Sequence, residues 1–111
     1  MGLFNKTPEE KQLRSLCETL GAAAGQVSRG SMPFDYFTEV RDASRAEIAS
    51  LYEVVARRQG PNAARRITKV ALTWAEIWGG GDVQNRDYQS ARAAKDLVRE
   101  ALVQIVGGRA G

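Results

Sequence analysis

The chain has 111 residues, of which 43% are hydrophobic and 26% charged, and its formal net charge is +3. This length suits one folded domain, and the hydrophobic content argues against disorder of the whole chain. With no histidine and one cysteine, the sequence offers neither a zinc site nor a cysteine–histidine pair for catalysis. We therefore expect a non-enzymatic protein that uses no cofactor and no metal.

Several features bear on where the protein works. No apolar run approaches the roughly 20 residues of a membrane-spanning helix, and the N-terminus lacks the apolar segment of a secretory signal. The lone Cys17 has no cysteine to pair with inside the chain, which is compatible with a reducing compartment. We expect a cytoplasmic protein without a membrane span.

The N-terminal part predicts a short flexible tail over residues 1–6, followed by a single helical domain over residues 7–108. Thr7 is a good N-cap, the proline after it suits the first helical position, and Glu10 completes a capping box. The helix that follows presents leucines and alanines on one face, with Cys17 as a small apolar residue at the edge of that face.

The middle of the chain predicts one short helix and one longer helix. Two turns of helix are expected from Phe34, after the proline that precedes it. The pattern from Ser44 to Glu47 reads as a second capping box and predicts a new helix start at Ser44. That helix is expected to end at Gly60.

The most strongly patterned stretch is residues 62–78, which we expect to form the central helix of the core, with Asn62 as its N-cap. Apolar residues, including Val70 and both tryptophans, Trp74 and Trp78, lie on one side of a helical wheel. One leucine breaks the pattern, because Leu72 lies in the polar row of this helix and is expected to be exposed.

Three glycines, residues 79–81, end the central helix, and Asp82 or Asn85 is expected to cap the last one, which ends at Gly107. No segment shows the alternating pattern of a strand. The predicted fold is all-α, a compact bundle or orthogonal array of four main helices plus one short helix.

Positive charge is concentrated around the central helix. Residues 1–60 carry equal numbers of acids and bases, and no acid occurs between Glu53 and Glu76. A basic rim around an exposed leucine suits contact with an acidic protein surface. The predicted partner-binding residues are Arg57, Arg58, Arg65, Arg66, Lys69, Leu72, Thr73 and Glu76.

Two other interpretations stay open. The segment around residues 48–78 resembles a helix-turn-helix, because Ala56 and Gly60 have the spacing found before the turn of that motif, and bases follow on the next helix. This resemblance implies a nucleic-acid-binding regulator. The bases are also explained as ordinary solvated surface. The preferred function is an adaptor, inhibitor or assembly component, and the sequence leaves a homodimer open.

Overall fold

A computed structural model describes residues 7–79 and 88–107, and within them all side chains except those of residues 74–79, 88, 90 and 91. The described residues form four α-helices and no strand, so the predicted all-α class is confirmed. The helices are α1 (Pro8–Ser28), α2 (Phe34–Gln59), α3 (Pro61–Gly79) and α4 (Tyr88–Val106). Within this part of the chain, no helix combines the length and apolar character that crossing a membrane requires.

The start of α1 follows the capping signal in the sequence. The Thr7 side chain accepts a hydrogen bond of 3.1 Å from the backbone N–H of Glu10, as an N-cap should. The carboxylate of Glu10 has a different role from the expected one, since its Oε1 accepts a 3.2 Å bond from Gln59 Nε2 at the end of α2. Arg58 pairs with Glu9 at 3.0 Å beside it. These contacts join the start of α1 to the end of α2.

The expected short helix and the helix start at Ser44 are both wrong, because α2 runs unbroken from Phe34 to Gln59. Neither glycine nor proline interrupts this stretch. The Ser44 hydroxyl donates a 2.8 Å hydrogen bond to the carbonyl oxygen of Val40, one turn earlier, so the serine is satisfied inside the helix. The residues that resemble a capping box therefore lie in a helix interior.

The junction between α2 and α3 consists of one residue, Gly60. Its φ of 98° lies where side-chain-bearing residues are rare, and its N–H donates to the carbonyl of Ala56 at 2.9 Å. Its own carbonyl accepts from the N–H of Ala64 at 3.2 Å, so Gly60 also takes the N-cap position of α3. The expected N-cap, Asn62, is instead inside the first turn of α3, after Pro61.

The helix at the centre of the core is α1, which corrects the expectation that residues 62–78 would be central. It packs against each of the other three helices and shares its largest interface with α3. Its C-terminal half is buried nearly all round, and the buried positions there include Gly21 and Gly25. Small residues let neighbouring helices approach closely, so α1 accepts partners on several sides.

The buried face of α3 is rotated from the one that its apolar pattern predicts. Leu72 is 7% exposed and belongs to the core, whereas Val70 is 38% exposed. Thr68 is fully buried one turn before Leu72, and a groove bounded by this row and α4 contains Leu102. α4 thus lies beside a side of α3 that the apolar pattern of α3 assigns to solvent. Trp74 and Trp78 were predicted to be buried, but their side chains are not among those that the structure describes.

Cys17 is fully buried in the core, as the sequence predicts. Removal from water raises the pKa of the Cys17 thiol from 9.0 to about 12, with the nearby charge of Glu18 as a smaller cause. The folded protein therefore keeps the thiol proton at a pH where the unfolded chain loses it. Stability from this thiol is intact below pH 9.0 and is lost as pH rises towards about 12.

We predict that Cys17→Ala lowers the free energy of unfolding by about 1 kcal/mol at neutral pH and reduces its loss at alkaline pH. Urea denaturation of the wild type and of Cys17→Ala at about pH 8 and about pH 10 measures how much stability each protein loses between the two pH values. Subtracting one loss from the other removes the contribution of the other groups that titrate in this range. If the wild type and Cys17→Ala lose the same free energy of unfolding between the two pH values, the prediction is wrong. Rapid alkylation of the native thiol at neutral pH contradicts the burial on which it rests.

Candidate functional site

The outward side of α3 forms a shallow basic surface, which we call the basic face. It surrounds a depression of about 430 Å³. The residues that line it are Asn62, Arg65, Arg66, Lys69, Val70 and Thr73. Because all six lie on consecutive turns of one helix, their spacing is fixed by the helix backbone.

The local structure holds parts of the basic face in place. An Arg65 guanidinium N–H donates to Asn62 Oδ1, one turn earlier. The Thr73 hydroxyl donates to the carbonyl oxygen of Lys69 at 3.0 Å, so its proton is not free for a partner. The side-chain donors left for a partner are therefore the cationic groups and the amide N–H₂ of Asn62.

The charge of the basic face is not balanced by described neighbours. Among side chains that the structure describes, ion pairs join Arg41 and Arg45 to Asp42, and Arg58 to Glu9. None of those pairs involves a base of the basic face, and Arg66 and Lys69 are exposed. The positive potential of this surface is therefore available to a ligand in solution.

The structure brings together four of the predicted site residues, namely Arg65, Arg66, Lys69 and Thr73. The exposure expected for Leu72 is wrong, and Val70 is the apolar residue that the basic face presents. The other predicted members lie elsewhere or outside the described side chains. Arg57 and Arg58 are on α2, where Arg58 pairs with Glu9, and the side chain of Glu76 is not among those described.

Sequence reasoning missed a second basic region next to the first. A groove of about 360 Å³ lies between α3 and α4, and we call it the α3–α4 groove. Its cations are Lys69 from α3 and Lys95 and Arg99 from α4. The spacing of Lys95 and Arg99, four residues apart, indicates one helix face. What the sequence does not reveal is that this face lies beside Lys69.

Fold and site together define a small all-α protein with a concentrated basic surface on its third helix. No protein-family model, no curated protein and no solved structure matches the chain. The argument for function therefore depends on the geometry and charge of the basic face and of the α3–α4 groove.

Proposed function

We propose that this chain is a small non-catalytic protein that binds an acidic surface of another protein through the basic face. The observation that carries the proposal is an exposed valine, Val70, set among Arg65, Arg66 and Lys69 around one depression. Protein interfaces combine an apolar centre, which supplies buried area, with a charged rim, which steers the partner. The adaptor, inhibitor and assembly roles all use such a surface.

The rigidity of α3 supports this role. The helix is anchored by buried residues on the opposite side, among them Ala64, Ile67 and Ala71. The backbone of an anchored helix loses little conformational entropy when a partner binds. We propose the whole of residues 7–108 as one domain that works in the cytoplasm, where its buried free thiol stays reduced.

Nucleic acid is the alternative partner, and the geometry of the α2–α3 junction bears on it. A helix-turn-helix joins its helices by a turn of about three or four residues. Here one residue, Gly60, separates α2 from α3. The junction therefore favours protein recognition over duplex recognition by this segment.

We predict that the double variant Arg66→Glu/Lys69→Glu binds the partner with an affinity at least about tenfold lower than the wild type. The reason is that negative charges on the variant then face the acidic partner. Affinity capture from the source organism, followed by titration of the captured protein, measures the loss. The matched control is Lys11→Glu/Arg92→Glu, which reverses two exposed bases outside the basic face. The control should bind like the wild type.

Duplex DNA serves as the second ligand in the same titration. Under protein recognition, the wild type binds duplex DNA weakly at about 150 mM salt. If DNA binds tightly, weakens steeply as salt rises and is lost in Arg66→Glu/Lys69→Glu, the protein is a nucleic-acid-binding regulator instead. If the basic-face variant and the control bind every captured protein equally well, the bases are solvated surface and the proposal fails.

A further inference from the structure

The α3–α4 groove differs from the basic face in shape and lining. It is a recess between two helices, while the basic face is the outer side of one helix. Its volume of about 360 Å³ falls in the range of small-molecule sites, about 300–1,000 Å³. The depression of the basic face, about 430 Å³, falls in the same range, so it is the enclosure between two helices, and not the volume, that makes the groove the better site for a small ligand.

The charge that lines the groove has one sign. Lys69, Lys95 and Arg99 lie along it, and no carboxylate is among its described lining residues. Two acids of α4, Asp96 and Glu100, are exposed and do not line the groove. A groove lined by one sign of charge attracts and concentrates the opposite ion.

The spacing of these bases has an energetic cost that an anion would relieve. Lys95 and Arg99 are four residues apart on α4, where like charges disfavour the helix. Lys69 brings a third positive charge from the facing helix. A bound anion stabilises all three side chains, and the planar guanidinium of Arg99 is suited to bidentate contact with a carboxylate or phosphate.

The rest of the lining is apolar or already hydrogen-bonded. Leu72 and Leu102 come from the hydrophobic core and reach the groove from α3 and α4. The Thr68 hydroxyl donates to the carbonyl oxygen of Arg65 at 2.8 Å, and the Thr73 hydroxyl donates to that of Lys69. Neither hydroxyl has a proton left for a ligand, so the side-chain donors of the groove are the cationic groups of Lys69, Lys95 and Arg99, which bind an anion more strongly than a neutral acceptor.

We propose that the α3–α4 groove binds a small amphipathic anion, which consists of one carboxylate or phosphate group and a short apolar body. The anionic group lies among Lys69, Lys95 and Arg99, and the apolar body lies against Leu72 and Leu102. This inference does not depend on the proposed protein partner, although the two sites share Lys69 and Thr73.

The test uses a set of probes that separates charge from apolar body. Octanoate and octyl phosphate carry both, octanol carries the chain alone, and acetate and inorganic phosphate carry the charge alone. Each is titrated into the isotopically labelled full chain at neutral pH and followed by amide chemical shifts. We expect saturable shifts in α3 and α4 with octanoate or octyl phosphate, and binding at least about tenfold weaker for the other three.

Variants on the protein side change only exposed bases. Lys95→Gln/Arg99→Gln should weaken binding of the octyl anions by at least about tenfold. Arg92→Gln, on the same helix but outside the groove, should bind like the wild type. The apolar contact is tested through the probes because Leu72 and Leu102 also belong to the core. A preference for octanoate or for octyl phosphate shows which anionic group the site takes.

Five results overturn the inference, and the first four are comparisons. They are equal binding of octanol, equal binding of acetate or inorganic phosphate, unchanged affinity in Lys95→Gln/Arg99→Gln, and an equal loss in Arg92→Gln. Absence of saturable binding by both octyl anions overturns it as well. The protein-partner titration of the basic face is a separate measurement, so failure of one proposal leaves the other standing.

Discussion

Replacing Phe37 by alanine should lower the free energy of unfolding by about 3–5 kcal/mol, the usual cost of emptying a large aromatic site in a core. The Phe37 side chain is 2% exposed and belongs to the central hydrophobic cluster. Folded proteins of this kind have about 5–15 kcal/mol of stability in total, so the loss is a large share of it. Urea denaturation followed by circular dichroism measures the change.

The chain supplies a matched control for this experiment in Phe34, one turn earlier. Phe34 is 54% exposed, and its ring centroid lies 6.2 Å from that of Phe37. Phe34→Ala should cost about 1 kcal/mol or less, because it loses one aromatic contact and little buried area. If the two substitutions destabilise the protein equally, the burial of Phe37 at the start of α2 is wrong.

Helix ends were the part of the fold that local sequence determined best. The Thr7 hydroxyl caps α1, Gly60 ends α2 with a positive φ, and α4 ends before Gly107. Each of these depends on the chemistry of one residue and its near neighbours in the chain. Such signals need no knowledge of the tertiary structure, so they can be found from sequence alone.

The same kind of signal failed where the surrounding residues already favoured helix. Ser44 and Glu47 have the spacing of a capping box, but strong helix formers on both sides continue α2 through them. A serine whose hydroxyl bonds the carbonyl of Val40 costs the helix little. A capping pattern inside a run of helix formers, with no glycine or proline before it, is therefore weak evidence for a new helix start.

The sequence was enough to predict which bases cluster on α3, but not which residues of α4 lie beside them. An acid-free interval that contains Arg65, Arg66 and Lys69 can be read directly from the sequence, and α3 displays these bases together. The partners from α4, Lys95 and Arg99, depend on how two helices distant in sequence pack. The exposed apolar residue was misassigned for the same reason, since α4 packs beside the Leu72 row of α3.

The corrected orientation of α3 predicts very different losses of stability for substitutions at Leu72 and at Val70, two residues apart. Leu72→Ser should lower the free energy of unfolding by about 3–5 kcal/mol, because it empties a core site and buries a hydroxyl there. Val70→Ser should change stability by no more than about 0.5 kcal/mol, because that side chain is exposed. Thermal and urea denaturation of the two variants against the wild type measure both values.

Partner binding by the same two variants separates a contact residue from a core residue. Val70→Ser should remain folded and weaken capture of the protein partner, since it removes the apolar part of the basic face. Leu72→Ser should lose binding only in proportion to the unfolded fraction measured by circular dichroism. A stable Leu72→Ser variant that no longer binds would instead place the contact at Leu72. Neither change alters charge, and the two differ in helix propensity by less than about 0.7 kcal/mol, so these effects do not explain a divergence of several kcal/mol.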